Sequence, residues 1–246
     1  MATIGVMDSG VGGLSVLKEM CALLPDENYI YFADNANCPY GEKTQEFVRE
    51  RASRITELLL SKGAEVVVLA CNTATAAAIA TLRGKYDVPF VGMEPAVKPA
   101  ALGTRSGVIG VLATAGTLKA SKYLDIRGRY EEDVRIEEHV GRGFVELVES
   151  GRTEGPEAEA VVEESLRPLL AAGADTIVLG CTHYPFLLPV MRKIAGGEVN
   201  FIDPAPAVAR RLKNVLEENN IAFGKGSGSR AYLSSGPSDT LDRMKW

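Results

Sequence analysis

The chain alternates short apolar runs with longer amphipathic ones. Thr3–Met7, Tyr29–Ala33, Val66–Ala70, Phe90–Gly92, Gly107–Leu112, Thr176–Gly180 and Asn200–Ile202 are brief, continuous and rich in β-branched residues. That pattern predicts strands buried on both faces. Between them, Gly13–Leu24, Thr44–Lys62, Thr73–Lys85, Thr117–Tyr123, Glu157–Ala172 and Pro185–Ile194 carry apolar residues at helical spacing. Strand–helix alternation of this kind predicts an α/β fold with mostly parallel sheets. Ligands of such sheets bind at the carboxyl ends of the strands, so the residues just after each strand are the candidates for chemistry.

One phrase occurs twice. "GAEVVVLACNTATAAAIATLR" begins at Gly63 and "GADTIVLGCTHYPFLLPVMRK" at Gly173, and their cysteines, Cys71 and Cys181, lie 110 residues apart. Each is followed by a short strand with a matched ending, "FVGMEPA" and "FIDPA". A weaker echo joins "IGVMDSGVGGLSVLK" to "IGVLATAGTLKASK". The period is too long for a solenoid. It predicts two pseudo-symmetric lobes, each a mostly parallel sheet flanked by helices, with the active site in the cleft between them. The expected division is residues 1–95 plus 208–246 for the first lobe and 96–207 for the second. Val208–Asn219 returns as a helix to the first lobe, and the "GKGSGSRAYLSSGPSD" end reads as loop.

Composition adds mainly exclusions. The chain has 246 residues, 46% hydrophobic and 24% charged, with a net charge of −5, as in ordinary globular proteins. That charge gives no reason to expect nucleic acid or a membrane surface. No apolar run approaches the ~18 residues of a bilayer span, and the start lacks the charged segment of a signal peptide. A cytoplasmic protein is expected. The four cysteines, Cys21, Cys38, Cys71 and Cys181, are widely spaced and form no close-set metal pattern. Only His183 stands near enough in sequence to join them, so no metal is expected. Cys21, on a helix, reads as a small apolar residue.

A cysteine at a strand end, just before a helix, faces unpaired N–H groups and a partial positive charge, which would lower its pKa. Two such cysteines facing each other across a ligand supply one base on each face of a carbon. That arrangement suits stereoinversion, in which one thiolate removes a proton and the opposite thiol returns one. A cysteine hydrolase built on Cys181 and His183 would leave Cys71 unexplained. Other strand-end candidates are Asp8 and Ser9, with Gly10, Gly12 and Gly13 allowing close backbone approach. Tyr40 and Gly41 stand in a Pro-Tyr-Gly turn, Asn72 and Thr73 follow Cys71, Thr114 and Thr117 follow the fifth strand, and Thr182 follows Cys181. Glu146 and Glu149 share a helical stretch, and His139 reads as a surface residue. The GxGG run lacks the acidic partner of a dinucleotide site.

Taken together, "MDSGVGG", "NCPYGEKT", "ACNTAT", "GVLATAGTLKAS", "GCTHYP" and "IDPA" resemble, nearly end to end, the glutamate racemases of the cofactor-independent aspartate/glutamate racemase superfamily. The resemblance implies interconversion of L- and D-glutamate without cofactor or metal, feeding peptidoglycan synthesis. It implies Cys71 and Cys181 as acid/bases toward the D- and L-enantiomers, assisted by Asp8 and His183 respectively. Ser9, Tyr40, Gly41, Asn72, Thr73, Thr114, Thr117 and Thr182 would hold the substrate, with Glu149 near the second thiol. The expected partners are small-molecule glutamate and a second copy in a homodimer. The alternatives are a racemase of aspartate or another acidic amino acid, or a non-catalytic amino-acid-binding protein. One departure is visible: Gly141-Arg142-Gly143 stands where many members carry a Cys-Pro pair.

Overall fold

The computed structural model describes residues 1–237 and 239–245. Its strands are β1 (Thr3–Asp8), β2 (Asn28–Ala33), β3 (Val66–Leu69), β4 (Phe90–Gly92), β5 (Val108–Ala113), β6 (Arg135–Val140), β7 (Thr176–Gly180), β8 (Asn200–Ile202) and β9 (Ser229–Ser234). Its helices are α1 (Leu14–Leu23), α2 (Gln45–Ser61), α3 (Asn72–Lys85), α4 (Val97–Gly103), α5 (Ala115–Leu118) and α6 (Ser121–Gly128). They continue with α7 (Phe144–Glu149), α8 (Pro156–Ala171), α9 (Leu188–Ala195), α10 (Ala205–Glu218) and α11 (Asp239–Met244). None of them is long and apolar enough to cross a membrane.

Two parallel sheets result, in the orders β4-β3-β1-β2-β9 and β6-β5-β7-β8. Read from β4 and from β8, the first four strands of each follow the same path, so the repeated phrases occupy equivalent strands. Strand order reverses between β1 and β3 in one sheet and between β5 and β7 in the other. Such switch points open a crevice at the strands' carboxyl ends. Cys71 follows β3 and Cys181 follows β7, so both cysteines stand at switch points.

The repeated Gly-Ala has a local cause. After α2, Gly63 adopts φ +90° and donates to Leu60 O at 2.9 Å, while Ala64 donates to Leu59 O at 3.1 Å. After α8, Gly173 adopts φ +88°, donating to Leu170 O at 3.0 Å, and Ala174 donates to Leu169 O at 3.1 Å. Each is a Schellman end, which needs the left-handed residue that glycine supplies. It turns the chain from a covering helix into the central strand that carries the cysteine. The helices then lie very close to the neighbouring strand. A Cβ on Gly5 of β1 would sit 3.0 Å from Leu59, and one on Gly110 of β5 would sit 3.0 Å from Leu169.

The largest apolar core runs through both lobes, from Leu14, Leu17 and Tyr31 to Phe144, Leu179 and Tyr184. Helix α10 packs on α1 and β4. Several expectations need correction. The tail predicted as loop contains β9, paired in parallel with β2 from Asn28↔Ser229 to Ala33↔Ser234. It is an edge strand with mostly exposed side chains, so it shows no apolar signal. "RIEEHV" forms β6, also at an edge, and His139 within it is half-buried rather than on the surface. The single helix expected over Thr117–Tyr123 is two, α5 and α6, broken around Lys119 and Ala120.

Gly5→Val and Gly110→Val should each destabilise the protein by about 1–3 kcal/mol through overpacking. Urea unfolding monitored by circular dichroism reads the loss. Equal costs at the two positions are expected from their matching surroundings.

Candidate active site

The carboxyl ends of β1, β3, β5 and β7 converge on one place. Cys71 caps α3, its Sγ accepting from Ala74 N at 3.4 Å and lying 4.0 Å from Ser9 Oγ. Cys181 lies with its Sγ 3.7 Å from His183 Nδ1. Both thiols are buried, at 5% and 7% exposure, and all four cysteines are free. The helix-terminus expectation fails at both. Burial, reinforced by the Asp8 charge, pushes the Cys71 thiol well above its ordinary pKa, outweighing the Ala74 N–H. Cys181 is followed not by an α-helix but by a 3-10 turn, Tyr184–Leu187, and α9 starts only at Leu188.

Asp8 is fully buried at the end of β1. It accepts from Gly10 N at 3.1 Å and from Thr182 Oγ1 at 3.2 Å, so the second lobe reaches it directly. Its carboxyl is raised by burial, against the attraction of His183. His183, 1% exposed, joins Cys181 through Nδ1 and meets Glu149 Oε1 through Nε2 at 2.6 Å. Burial opposes charge on its ring. Hydrogen bonds to Cys181, Cys38 and Glu149 prevail and hold its pKa well above the usual imidazole value. Glu149 also pays desolvation, but His183 and the Val11 N–H at 2.7 Å keep it below the usual carboxylate range.

Gly10 and Gly12 fit this contact closely. A Cβ on Gly10 would fall within bonding distance of a Glu149 oxygen, and one on Gly12 would collide with His183 Nδ1. The loop after β1 thus lies directly on the two residues that serve Cys181. Ser15 Oγ adds a bond to Thr182 O at 3.0 Å.

On the other flank Thr73 Oγ1 meets Thr114 Oγ1 at 3.0 Å and Thr117 Oγ1 at 3.3 Å, tying α3 to the second lobe. Gly41 lies against Thr114, where a Cβ would approach to 2.6 Å. Beside them opens a cavity of about 400 Å³ that also touches Glu42, Arg142, Glu146 and Tyr184. Tyr40 is buried, and its hydroxyl donates to Asp34, which also accepts two bonds from Arg51 at 2.7 and 2.9 Å. Its ring and main chain, not its hydroxyl, are what it offers the cleft. Asn72 is buried with neither side-chain Oδ1 nor Nδ2 satisfied. Unmet buried amides are costly, so this pair is available to a ligand. Glu146 is exposed and only borders that cavity.

The structure brings Asp8, Ser9, Cys71, Cys181, Thr182, His183 and Glu149 together, with Thr73, Thr114, Thr117 and Gly41 on one flank. Cys38 lies beside His183 and Glu149, and Asp34 stands behind Tyr40; its ion-pair partner Arg51, in the middle of α2, has no sequence signal. "DNANCPYG" carries a signal for Asp34 and Cys38 only as strand-end neighbours of the Pro-Tyr-Gly turn.

This two-lobed fold has counterparts among known racemases. The Asp/Glu/hydantoin racemase family model matches residues 4–212. A glutamate racemase of Ectopseudomonas mendocina is 50% identical over 236 residues, 96% of this chain and 90% of that one. The structure of Escherichia coli glutamate racemase in complex with L-glutamate and the activator UDP-MurNAc-Ala superposes with a TM-score of 0.88. It has 35% identity and covers 99% of this chain and 92% of its own. A Bacillus anthracis glutamate racemase isoform gives 0.87 at 31% identity, covering 99% and 92%. This chain belongs to the Asp/Glu/hydantoin racemase family.

Glu149→Gln should cost about 1.5–3 kcal/mol of stability near neutral pH, the worth of a charged hydrogen bond. Glu149 is depressed on folding, so its contribution exists above its ordinary value of 4.5 and is lost as pH falls through its folded value. His183 is raised, so its contribution is complete below 6.5 and is lost as pH rises through its folded value. The wild-type advantage in urea should therefore peak between pH 4.5 and 6.5 and shrink on either side.

Proposed function

We propose that this chain interconverts L- and D-glutamate by two-base proton transfer between Cys71 and Cys181, in the supply of D-glutamate for peptidoglycan. The observation that carries the reading is the pair of buried thiols at equivalent switch points, each with its own acid/base neighbour. The names of the relatives supply the substrate. With L-glutamate bound, the Cys181 thiolate takes the α-proton from one face, its own proton having passed to His183. The Cys71 thiol, kept protonated by its burial, returns a proton to the other face. The C–H bond breaks at one sulfur and re-forms from the other, leaving Cys71 as thiolate. In the reverse direction Cys71 acts as base on D-glutamate, with Asp8 as its partner.

An amino-acid α-proton is far less acidic than a thiol. Carbanion character must therefore be stabilised by fixed donors in a dry site. Asn72, with both amide atoms free, and the hydroxyls of Thr73, Thr114, Thr117, Thr182 and Ser9 supply those donors, together with the main chain at Tyr40 and Gly41. Glu149 acts through His183. Both thiols are closed to solvent, so substrate enters when the lobes, 1–95 with 208–246 and 96–207, part at the crossings near 95–104 and 204–207. A homodimer and a cytoplasmic location belong to the same proposal. The four reduced cysteines favour the latter.

Incubation of L-glutamate with the protein in D2O, with reductant and no cofactor, should bring the circular dichroism signal to zero as deuterium enters the α-position. Cys71→Ala and Cys181→Ala should each slow this by about 10²–10⁴-fold or more. An unchanged glutamate signal with decay for aspartate would favour the aspartate alternative. No decay for either would overturn catalysis in favour of a binding protein. In X-ray scattering, glutamate should reduce the radius of gyration, and identical profiles would count against lobe closure.

A further inference from the structure

Cys38 has no part in the proton transfer, yet its Sγ, one Glu149 carboxylate oxygen and one His183 ring nitrogen all lie within 4.8 Å of one another. The three come from separate places: the loop after β2, the end of α7 and the turn after β7. A thiolate, an imidazole and a carboxylate are the donor set of a borderline-soft divalent cation. Tetrahedral zinc, with bonds of about 2.0–2.3 Å, holds its donors on edges of about 3.3–3.8 Å. The triangle here needs only a small contraction. Cys38 and Glu149 are half-buried while His183 is buried, so a cation has an approach from the Cys38 side, with its fourth position left to water.

We propose that Cys38, Glu149 and His183 form an inhibitory site for a thiophilic divalent cation of the zinc class. Binding replaces the Cys38 thiol proton and the His183 Nε2 proton that faces Glu149 with metal bonds, Glu149 supplies the third bond, and both protons go to solvent. With Nε2 on the metal, Nδ1 keeps its proton toward Cys181 and can no longer accept the thiol's. Binding also fastens the first-lobe loop that carries Cys38 to the second lobe, opposing the parting of the lobes that substrate entry requires. The site is thus a brake and not a cofactor centre. The effect on turnover rests on the proposed racemisation, whereas the binding itself does not.

Cobalt(II) is the probe. Full-length protein, kept reduced by a phosphine, is titrated with Co²⁺ and watched for thiolate-to-metal charge-transfer absorption, with stoichiometry from equilibrium dialysis. One Co²⁺ per chain is expected, displaced by Zn²⁺. Cys38→Ser should weaken binding by roughly a hundredfold or more and remove the band, while Cys71→Ser keeps it. Cys38→Ser should keep the same rate with and without a Zn²⁺ concentration that stops the wild type, and chelation should restore the wild type. No band in the wild type, or a band that persists in Cys38→Ser, would overturn the site. If the metal-free wild type does not racemise glutamate, the functional reading fails while the band still decides the site.

Discussion

The contact between the glycine loop after β1 and the His183–Glu149 pair is the constraint on which the rest depends. Two lobes that carry one thiol each are useful only if their switch points meet without water between. At Gly10 and Gly12 there is no room for a methyl group, so the main chain of one lobe seals the His183–Glu149 pair of the other. Val11 N–H and Thr182 Oγ1 complete the seal by satisfying a carboxylate on each side, Glu149 and Asp8. The glycines that resemble a nucleotide loop in one dimension act as a gasket in three.

Burial has a second effect. It makes the resting Cys71 a poor acid, the reverse of what a helix N-terminus alone would do. The same dry surroundings that raise the thiol also raise the energy of any free charge, and a carbanion is stabilised only by groups already aimed at it. Asn72 stands buried with both side-chain polar atoms unmet by protein groups, a local cost in stability. The threonine cluster, with its hydroxyls in mutual contact, ties α3 to the second lobe on the opposite flank.

Most of the architecture was legible because its strands are short apolar runs buried on both faces, and because the Gly-Ala helix ends repeat. Thr176–Gly180, Phe90–Gly92 and Asn200–Ile202 agree to the residue. β9 was not, since this edge strand buries little and carries exposed residues such as Arg230. The candidate residues were legible as strand-end neighbours of a duplicated cysteine. The part that escaped was tertiary. Cys38 and Glu149 come from distant segments, and no local pattern joins them to His183. The direction of the Cys71 shift depends on burial, which spacing does not report.

The two halves share strand order, helix ends and a cysteine, but the segments beyond the two cysteines differ: a regular helix capped by the thiol itself after Cys71, a tight turn and a histidine after Cys181. A perfectly twofold cleft would present the same surroundings to both faces of a carbon. Yet a molecule with four different substituents has no twofold axis, and turning it over exchanges unlike groups. Divergence between the halves reconciles a symmetric scaffold with a handed guest. The duplicated frame sets the two thiols at matched depth, and the mismatched turns give the two sides of the cleft different groups.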